Sequence, residues 1–251
     1  MPRCQRTFHR LSSPISGGHG ANGCGPVRWV CPHCPGAEVY EAVGETDLLQ
    51  YARLAEAACI QDFGRPSDAA RATFLLLGLR PECVLESADR RYEIYLQRGS
   101  DALQMRLQLG HELFHRTCSQ GRIFHWTHEM LACLFSVRLL RQQGFEAYAD
   151  QMSGQYRSEA QACPPGDFFA ADLWTLTAYP EGYYGLAYTL GRALKTIVGW
   201  PALCRLTRSC GEPGSPPNVK GWLAALPSRE RAECEFLLAP SLAADRTPRY
   251  G

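Results

Sequence analysis

The chain has 251 residues, of which 45% are hydrophobic and 20% charged, and 26 basic against 25 acidic side chains give a net charge of +1. These values are ordinary for a globular protein with one large domain or two small ones. The near-neutral charge gives no general basis for binding nucleic acid or an acidic membrane surface. No apolar stretch reaches the roughly 18–20 residues of a membrane helix, and the first residues contain no apolar signal segment, which predicts a cytoplasmic protein.

The twelve cysteines are an unusual feature of this composition. Small secreted proteins use that many in disulfides, but a chain of this length can bury a core without them. Cys31 and Cys34 form a CxxC pair in a proline- and glycine-rich lead, residues 1–37, that is predicted to be flexible or loosely ordered. The pair is either free or half of a structural zinc site. A redox dithiol is disfavoured because Pro35-Gly36 interrupts the helix that it needs.

After the lead, hydrophobic spacing predicts two helices and two strands. The first helix is expected from about Thr46 to Phe63, and the second from Ser67 through Leu77. The strands are expected at Cys83-Val84-Leu85 and Tyr92–Gln97, and the second of them alternates apolar and polar side chains.

The rest of the chain is predicted to be helical. The first two of these helices cover about 101–118 and about 127–143. Further helical patterns follow at about 145–160, 168–177 and 182–198, and shorter ones near 201–208, 218–225 and 228–238. Breaks are expected at Pro164-Pro165-Gly166 and from Gly211 to Pro217. The predicted class is therefore α+β, with a small sheet packed against a mostly helical body. A single domain is expected over 38–251, and its C-terminal part, 143–251, is helical.

The helix over 101–118 contains His111-Glu112-Leu113-Phe114-His115, an HExxH motif, and Ser100 or Asp101 is expected to cap it. Positions i and i+4 share a helix face with Cβ atoms about 5–6 Å apart, so both imidazoles can reach one metal ion. Glu112 lies further round the helix and can act on a metal-bound water, as metal-assisted hydrolysis requires. The alternative is a chance occurrence of the motif on a structural helix.

A candidate third ligand, Glu129, stands at the start of the next helix. A catalytic zinc ion usually has three protein ligands and a water, and the short loop from Ser119 to Trp126 would let the second helix turn back to the first. A carboxylate in a first turn also stabilises any helix, so position alone does not make Glu129 a ligand. His125 and His128 are either partners of the site or ordinary loop histidines. A tyrosine could be the group that lies opposite the base, and the candidates by residue type are Tyr183, Tyr184 and Tyr188. The alternative is that these are ordinary core tyrosines.

The helix after HExxH has the spacing E-x-x-A-x-x-F-x-x-x-L-L. The residues at these positions are Glu129, Ala132, Phe135, Leu139 and Leu140. Any core helix can show the apolar part of this pattern, so the acid at its head carries the functional information. Together with the preceding strand and HExxH helix, this segment, residues 92–140, resembles the ImmA/IrrE-like metallopeptidases, a branch of the gluzincin-type zincins.

The resemblance implies a zincin-like fold and a zinc-dependent peptidase. By that resemblance, His111, His115 and Glu129 would bind Zn²⁺ and Glu112 would be the catalytic base. The substrate would be a protein or peptide, and the strand Tyr92–Gln97 is expected to offer an edge on which an extended segment could pair. The alternatives are a zincin-fold binding or regulatory module with little catalysis, and a helical structural protein with a chance motif.

Overall fold

The structure is a computed structural model that describes residues 47–64, 73–86, 91–119, 125–171, 173, 179–208 and 217–244, and the backbone of three short strands before them. Those strands are β1 (His9–Arg10), β2 (Arg28–Val30) and β3 (Val39–Glu41), which form an antiparallel sheet. Two of the three lie within the predicted lead, residues 1–37. Cys31 and Cys34 lie outside the described residues.

Helices make up most of the described chain, and a second small sheet lies between the first two of them. In chain order the elements are α1 (Asp47–Phe63), β4 (Thr73–Gly78), β5 (Glu82–Glu86), β6 (Arg91–Gln97), α2 (Ala102–Phe114), α3 (Trp126–Gln142), α4 (Glu146–Glu159), α5 (Pro165–Ala170), α6 (Tyr183–Arg208), α7 (Val219–Ala224) and α8 (Ser228–Ala244). The predicted α+β class, with a small sheet and a mostly helical body, is confirmed. No helix in this part of the chain combines the length and apolarity needed to cross a bilayer.

The strand β4 lies where a helix was predicted, so that prediction was wrong. A helix was expected from Ser67 through Leu77, but Thr73–Gly78 is extended and pairs in parallel with β6, while 65–72 lie outside the described residues. Its sequence, TFLLLG, is a short continuous apolar run, which periodicity cannot assign to helix or strand. Such runs are typical of parallel strands that are covered on both faces.

The strand β6 lies at the centre of its sheet, in the order β4-β6-β5. It pairs with β4 on one side and with β5 on the other, and both faces are buried from Tyr92 to Leu96. The expectation that Tyr92–Gln97 would offer a free edge was therefore wrong. The edge strand nearest to it in sequence is β5.

Further helix boundaries also differ from the prediction. Pro165 begins α5, where its fixed φ suits the first helical position, although Pro164-Pro165-Gly166 was predicted to be a break. This short helix ends at Ala170, well before the predicted end near 177. The two helices predicted at 182–198 and 201–208 are both present within α6, which is interrupted at Gly199, where a φ of 74° is non-helical and suits glycine.

The helix α2 begins as predicted and ends in an unusual turn. Asp101 is its N-cap, and its carboxylate accepts hydrogen bonds from the backbone N–H groups of Leu103 and Gln104. The last turn continues as a π-helix over His115–Ser119. Within it the buried Arg116 lies 3.3 Å from Oε1 of Glu56 and stacks over the ring of Tyr92. The π-turn is thus fixed to α1 and β6, directly after the HExxH motif.

Candidate metal centre

Three metal-ligating side chains converge where α2 ends and α3 begins. Nε2 of His111 lies 2.9 Å from Oε2 of Glu129 and 3.0 Å from Nε2 of His115. Nε2 of His115 lies 3.3 Å from the same carboxylate oxygen. Among the described residues this is the one group of three or more His, Cys, Asp or Glu side chains with donor atoms close enough to share an ion.

Close antiparallel packing of α2 and α3 produces this convergence. Gly110 on α2 lies so near α3 that an added Cβ would be 3.3 Å from the Cα of Ser136. This approach pairs the end of α2 with the first turn of α3, so His115 meets Glu129 while His111 lies beside Cys133. The predicted turn back of the second helix onto the HExxH helix is therefore present.

The donor atoms fit a tetrahedral zinc ion. Bonds of about 2.0–2.1 Å at tetrahedral angles separate zinc ligand atoms by about 3.3 Å. The three separations here, 2.9, 3.0 and 3.3 Å, are close to that value. Two imidazole nitrogens and one carboxylate oxygen form one of the ligand sets that catalytic zinc uses, with a fourth position for water. The centre can therefore bind a divalent metal ion.

The two imidazoles keep the carboxyl of Glu129 ionised. Burial opposes ionisation of Glu129, but the neighbouring imidazoles of His115 and His111 hold the pKa of its carboxyl well below its usual range. Burial also acts to lower the pKa of His111, yet Cys133 and Glu129 together raise it well above its usual value. The pKa of His115 is lowered, chiefly by burial. An ionised carboxylate thus faces two imidazoles in a site with little access to water.

Glu112 lies on the buried side of the motif, with 5% of its surface exposed. Burial raises the pKa of its carboxyl to about 8, although His111 and a hydrogen bond from the backbone N–H of Cys83 oppose this. That hydrogen bond joins the motif to the edge strand β5. Glu112 is outside the group of three donors, as expected for a base and not a ligand.

Tyr179 was missed by the sequence analysis. Its hydroxyl donates a hydrogen bond of 2.5 Å to Oε1 of Glu129, so the other oxygen, Oε2, faces the two imidazoles. The tyrosine is 50 positions from Glu129 in the sequence, and no local pattern connects them. Partners of this kind fix the orientation of metal ligands and raise metal affinity.

The other tyrosines have different roles. The ring of Tyr184 meets the His111 ring edge to face, with centroids 5.8 Å apart, so this tyrosine borders the centre. The Tyr183 ring packs between Phe168 and Tyr179, and its hydroxyl has no hydrogen-bond partner among the described residues. Tyr188 shares a hydrogen bond of 2.7 Å with Ser153, away from the three donors.

Cys133 lies behind His111. Its sulfur is 3.9 Å from Nδ1 of that histidine, on the opposite side of the ring from Nε2. Metal-bound histidines usually donate their second ring N–H to an acceptor, which fixes the tautomer. Cys133 is fully buried, and it also contacts a candidate ligand.

His125 and His128 are not part of the donor group. His125 is the N-cap of α3, where Nδ1 accepts from the backbone N–H of Thr127. His128 is buried, and burial together with the nearby His115 and His125 lowers its pKa to about 3. Helix capping therefore accounts for the position of His125.

Removal of the Tyr179 hydroxyl should weaken metal binding. We expect Tyr179→Phe to lower zinc affinity about 10- to 100-fold, the usual cost of losing a partner that orients a ligand. Competition with a chromophoric chelator would measure the change. Tyr183→Phe is the matched control, because it removes a buried hydroxyl without a partner from the adjacent ring. Equal affinities in the two variants would contradict the role of Tyr179.

Comparisons of the chain with protein-family models, with curated proteins and with solved structures found no match.

Proposed function

We propose that this protein is a zinc-dependent metallopeptidase of the zincin type, similar to the ImmA/IrrE-like enzymes. The observation that carries the proposal is the convergence of His111, His115 and Glu129 within 4.8 Å of one another, with Glu112 buried on the same helix. A structural helix with a chance HExxH motif has no need for a third donor from another helix. The ligand set and the neighbouring carboxylate are those of metal-assisted hydrolysis.

Each side chain has a definite task in this proposal. A zinc ion bound to the three donors would polarise the scissile carbonyl and lower the pKa of its water to about 7. In its ionised form, which a pKa of about 8 makes dominant only above that pH, Glu112 would accept the proton of the attacking water and later return it to the leaving amine. Tyr179 holds Glu129 through Oε1, and the buried surroundings exclude bulk water from the reacting groups.

The edge strand β5 is the proposed docking strand for an extended substrate. It pairs only with β6 among the described strands, so its second edge is open to another strand in that part of the chain. The backbone N–H of Cys83 on this strand reaches the carboxylate of Glu112. A peptide that adds to β5 would therefore run past the proposed base, and main-chain hydrogen bonds would hold it.

Metal-dependent peptide cleavage tests the proposal. Zinc-loaded protein should cleave a restricted set of sequences in a proteome-derived peptide library, with the products identified by mass spectrometry. Treatment with 1,10-phenanthroline should reduce cleavage at least about 100-fold, because the chelator removes the Lewis acid and the activated water together, and added zinc should restore it. Zinc-loaded protein that cleaves nothing, or cleavage that resists the chelator, would contradict a metallopeptidase.

A further inference from the structure

A polar cavity that is open to solvent lies between α3 and α6, away from the metal centre, and Arg141, Arg192 and Lys195 at its rim are exposed. Its volume is about 210 Å³, and its lining includes Arg138 and Arg141 from α3 and Arg192 and Lys195 from α6. Each pair is spaced i, i+3, so each helix presents two cations on one face. Arg138 follows Glu129 by nine residues, roughly 13 Å along the helix. The cavity therefore does not share the donors of the metal centre.

The positive charge of this cavity is only partly neutralised. Arg138 forms an ion pair with Asp62 of α1, and Arg141 lies 2.6 Å from Asp150 of α4. Arg192 and Lys195 have no ion pair with a carboxylate in the described ranges. Four cations and two carboxylates leave an excess of two positive charges in and around the cavity.

Aromatic rings hold the two unneutralised cations at the cavity. The guanidinium of Arg192 lies 6.0 Å from the centroid of the Tyr188 ring, and the ammonium of Lys195 lies 5.9 Å from that of Trp200. Such contacts with ring faces are attractive but leave the donor hydrogens available. Burial and the three guanidiniums of Arg138, Arg141 and Arg192 lower the pKa of Lys195, and no carboxylate offsets this effect. Arg192 and Lys195 therefore have no carboxylate partner in the described part of the chain.

We propose that this cavity binds a dianionic phosphate group. Two excess positive charges match the two negative charges of a phosphate monoester, and guanidinium groups donate paired hydrogen bonds to phosphate oxygens. The volume is below the roughly 300–1,000 Å³ of pockets for drug-sized ligands, which favours a small phosphorylated group. The group could belong to a free metabolite or to a phosphorylated lipid headgroup, since the recognising chemistry is the same.

Binding measurements on the full chain test the inference without reference to peptidase activity. Isothermal titration with inorganic phosphate and with pyrophosphate should show saturable binding at one site. Flotation with phosphatidylcholine vesicles, with and without phosphatidylinositol 4-phosphate, distinguishes the lipid source from the soluble one. The double variant Arg192→Gln/Lys195→Gln should bind at least tenfold more weakly in whichever arm shows binding.

The controls separate a specific site from general electrostatics. Lys220→Gln/Arg229→Gln removes two exposed cations elsewhere in the chain and should bind as the wild type does. Lys195→Arg, which preserves the charge, should also retain binding, whereas a site that is merely misfolded by substitution would lose it. Absence of binding in every arm, or an equal loss in the two double variants, would overturn the proposal. Because the readout needs no zinc, failure here leaves the metallopeptidase proposal unaffected.

Discussion

The wild-type protein is expected to purify with about one zinc ion per chain, and His111→Ala is expected to lose it. Structural zinc with four ligands contributes about 10–16 kcal/mol of apparent binding free energy, or about 3 kcal/mol per ligand. The loss of one imidazole should therefore weaken binding about 100-fold. His111 is the better of the two histidines to replace, because its side chain is 13% exposed while that of His115 is 1% exposed. Elemental analysis after gel filtration, followed by competition with a chelator, measures both the stoichiometry and the affinity.

His125→Ala is the matched control for this experiment. It removes a nearby histidine that caps α3, so it should cost about 1 kcal/mol of stability but leave the metal content unchanged. Zinc loss in His125→Ala equal to that in His111→Ala would point to a different ligand set. Stoichiometric iron in place of zinc would contradict zinc as the resident metal, since two histidines and a carboxylate also bind Fe(II).

The local elements were predictable because each depends on residues near one another in the chain. The helix to Phe63 and the strands around Val84 and Ile94 were expected from hydrophobic spacing. Of the two predicted caps, Ser100 and Asp101, the structure has Asp101, whose carboxylate satisfies the first free N–H groups of the helix. Prediction failed at β4, where pairing with a distant strand decides the structure of a run that local sequence leaves ambiguous.

The metal centre was also predictable only where its residues are close together in the sequence. The spacing of His111 and His115 follows from one helical turn, and Glu129 was proposed as a partner from its position on the following helix. Tyr179 and Cys133 could not be connected to these ligands from the sequence. They lie 50 and 22 positions from the residues they contact, and only the packing of α2, α3 and the segment before α6 brings them together. The four cations of the cavity between α3 and α6 come from two helices, and those on α6 lie more than 50 positions after those on α3, so their proximity was also hidden.

Glu112→Gln is the substitution that separates a peptidase from a metal-binding module. Glutamine has nearly the same shape as glutamate, and its side-chain oxygen can still accept the hydrogen bond from the backbone of Cys83. It cannot take a proton from water. A positioned base contributes about 10²–10⁴-fold to such reactions, so the zinc-loaded variant should cleave the best library peptide more slowly by that factor while its zinc affinity stays close to that of the wild type.

Glu93→Gln is the matched control. Glu93 is also a buried carboxylate, it accepts a hydrogen bond of 2.5 Å from the hydroxyl of Tyr95, and it lies outside the group of three metal donors. It should retain the wild-type kcat once folded protein is selected by gel filtration. A fall in kcat for Glu112→Gln but not for Glu93→Gln, at unchanged zinc content, would assign the lost step to the carboxylate of Glu112. Equal cleavage by Glu112→Gln and the wild type would instead leave the three donors as a metal site without this base, because hydrolysis would then need a different proton acceptor.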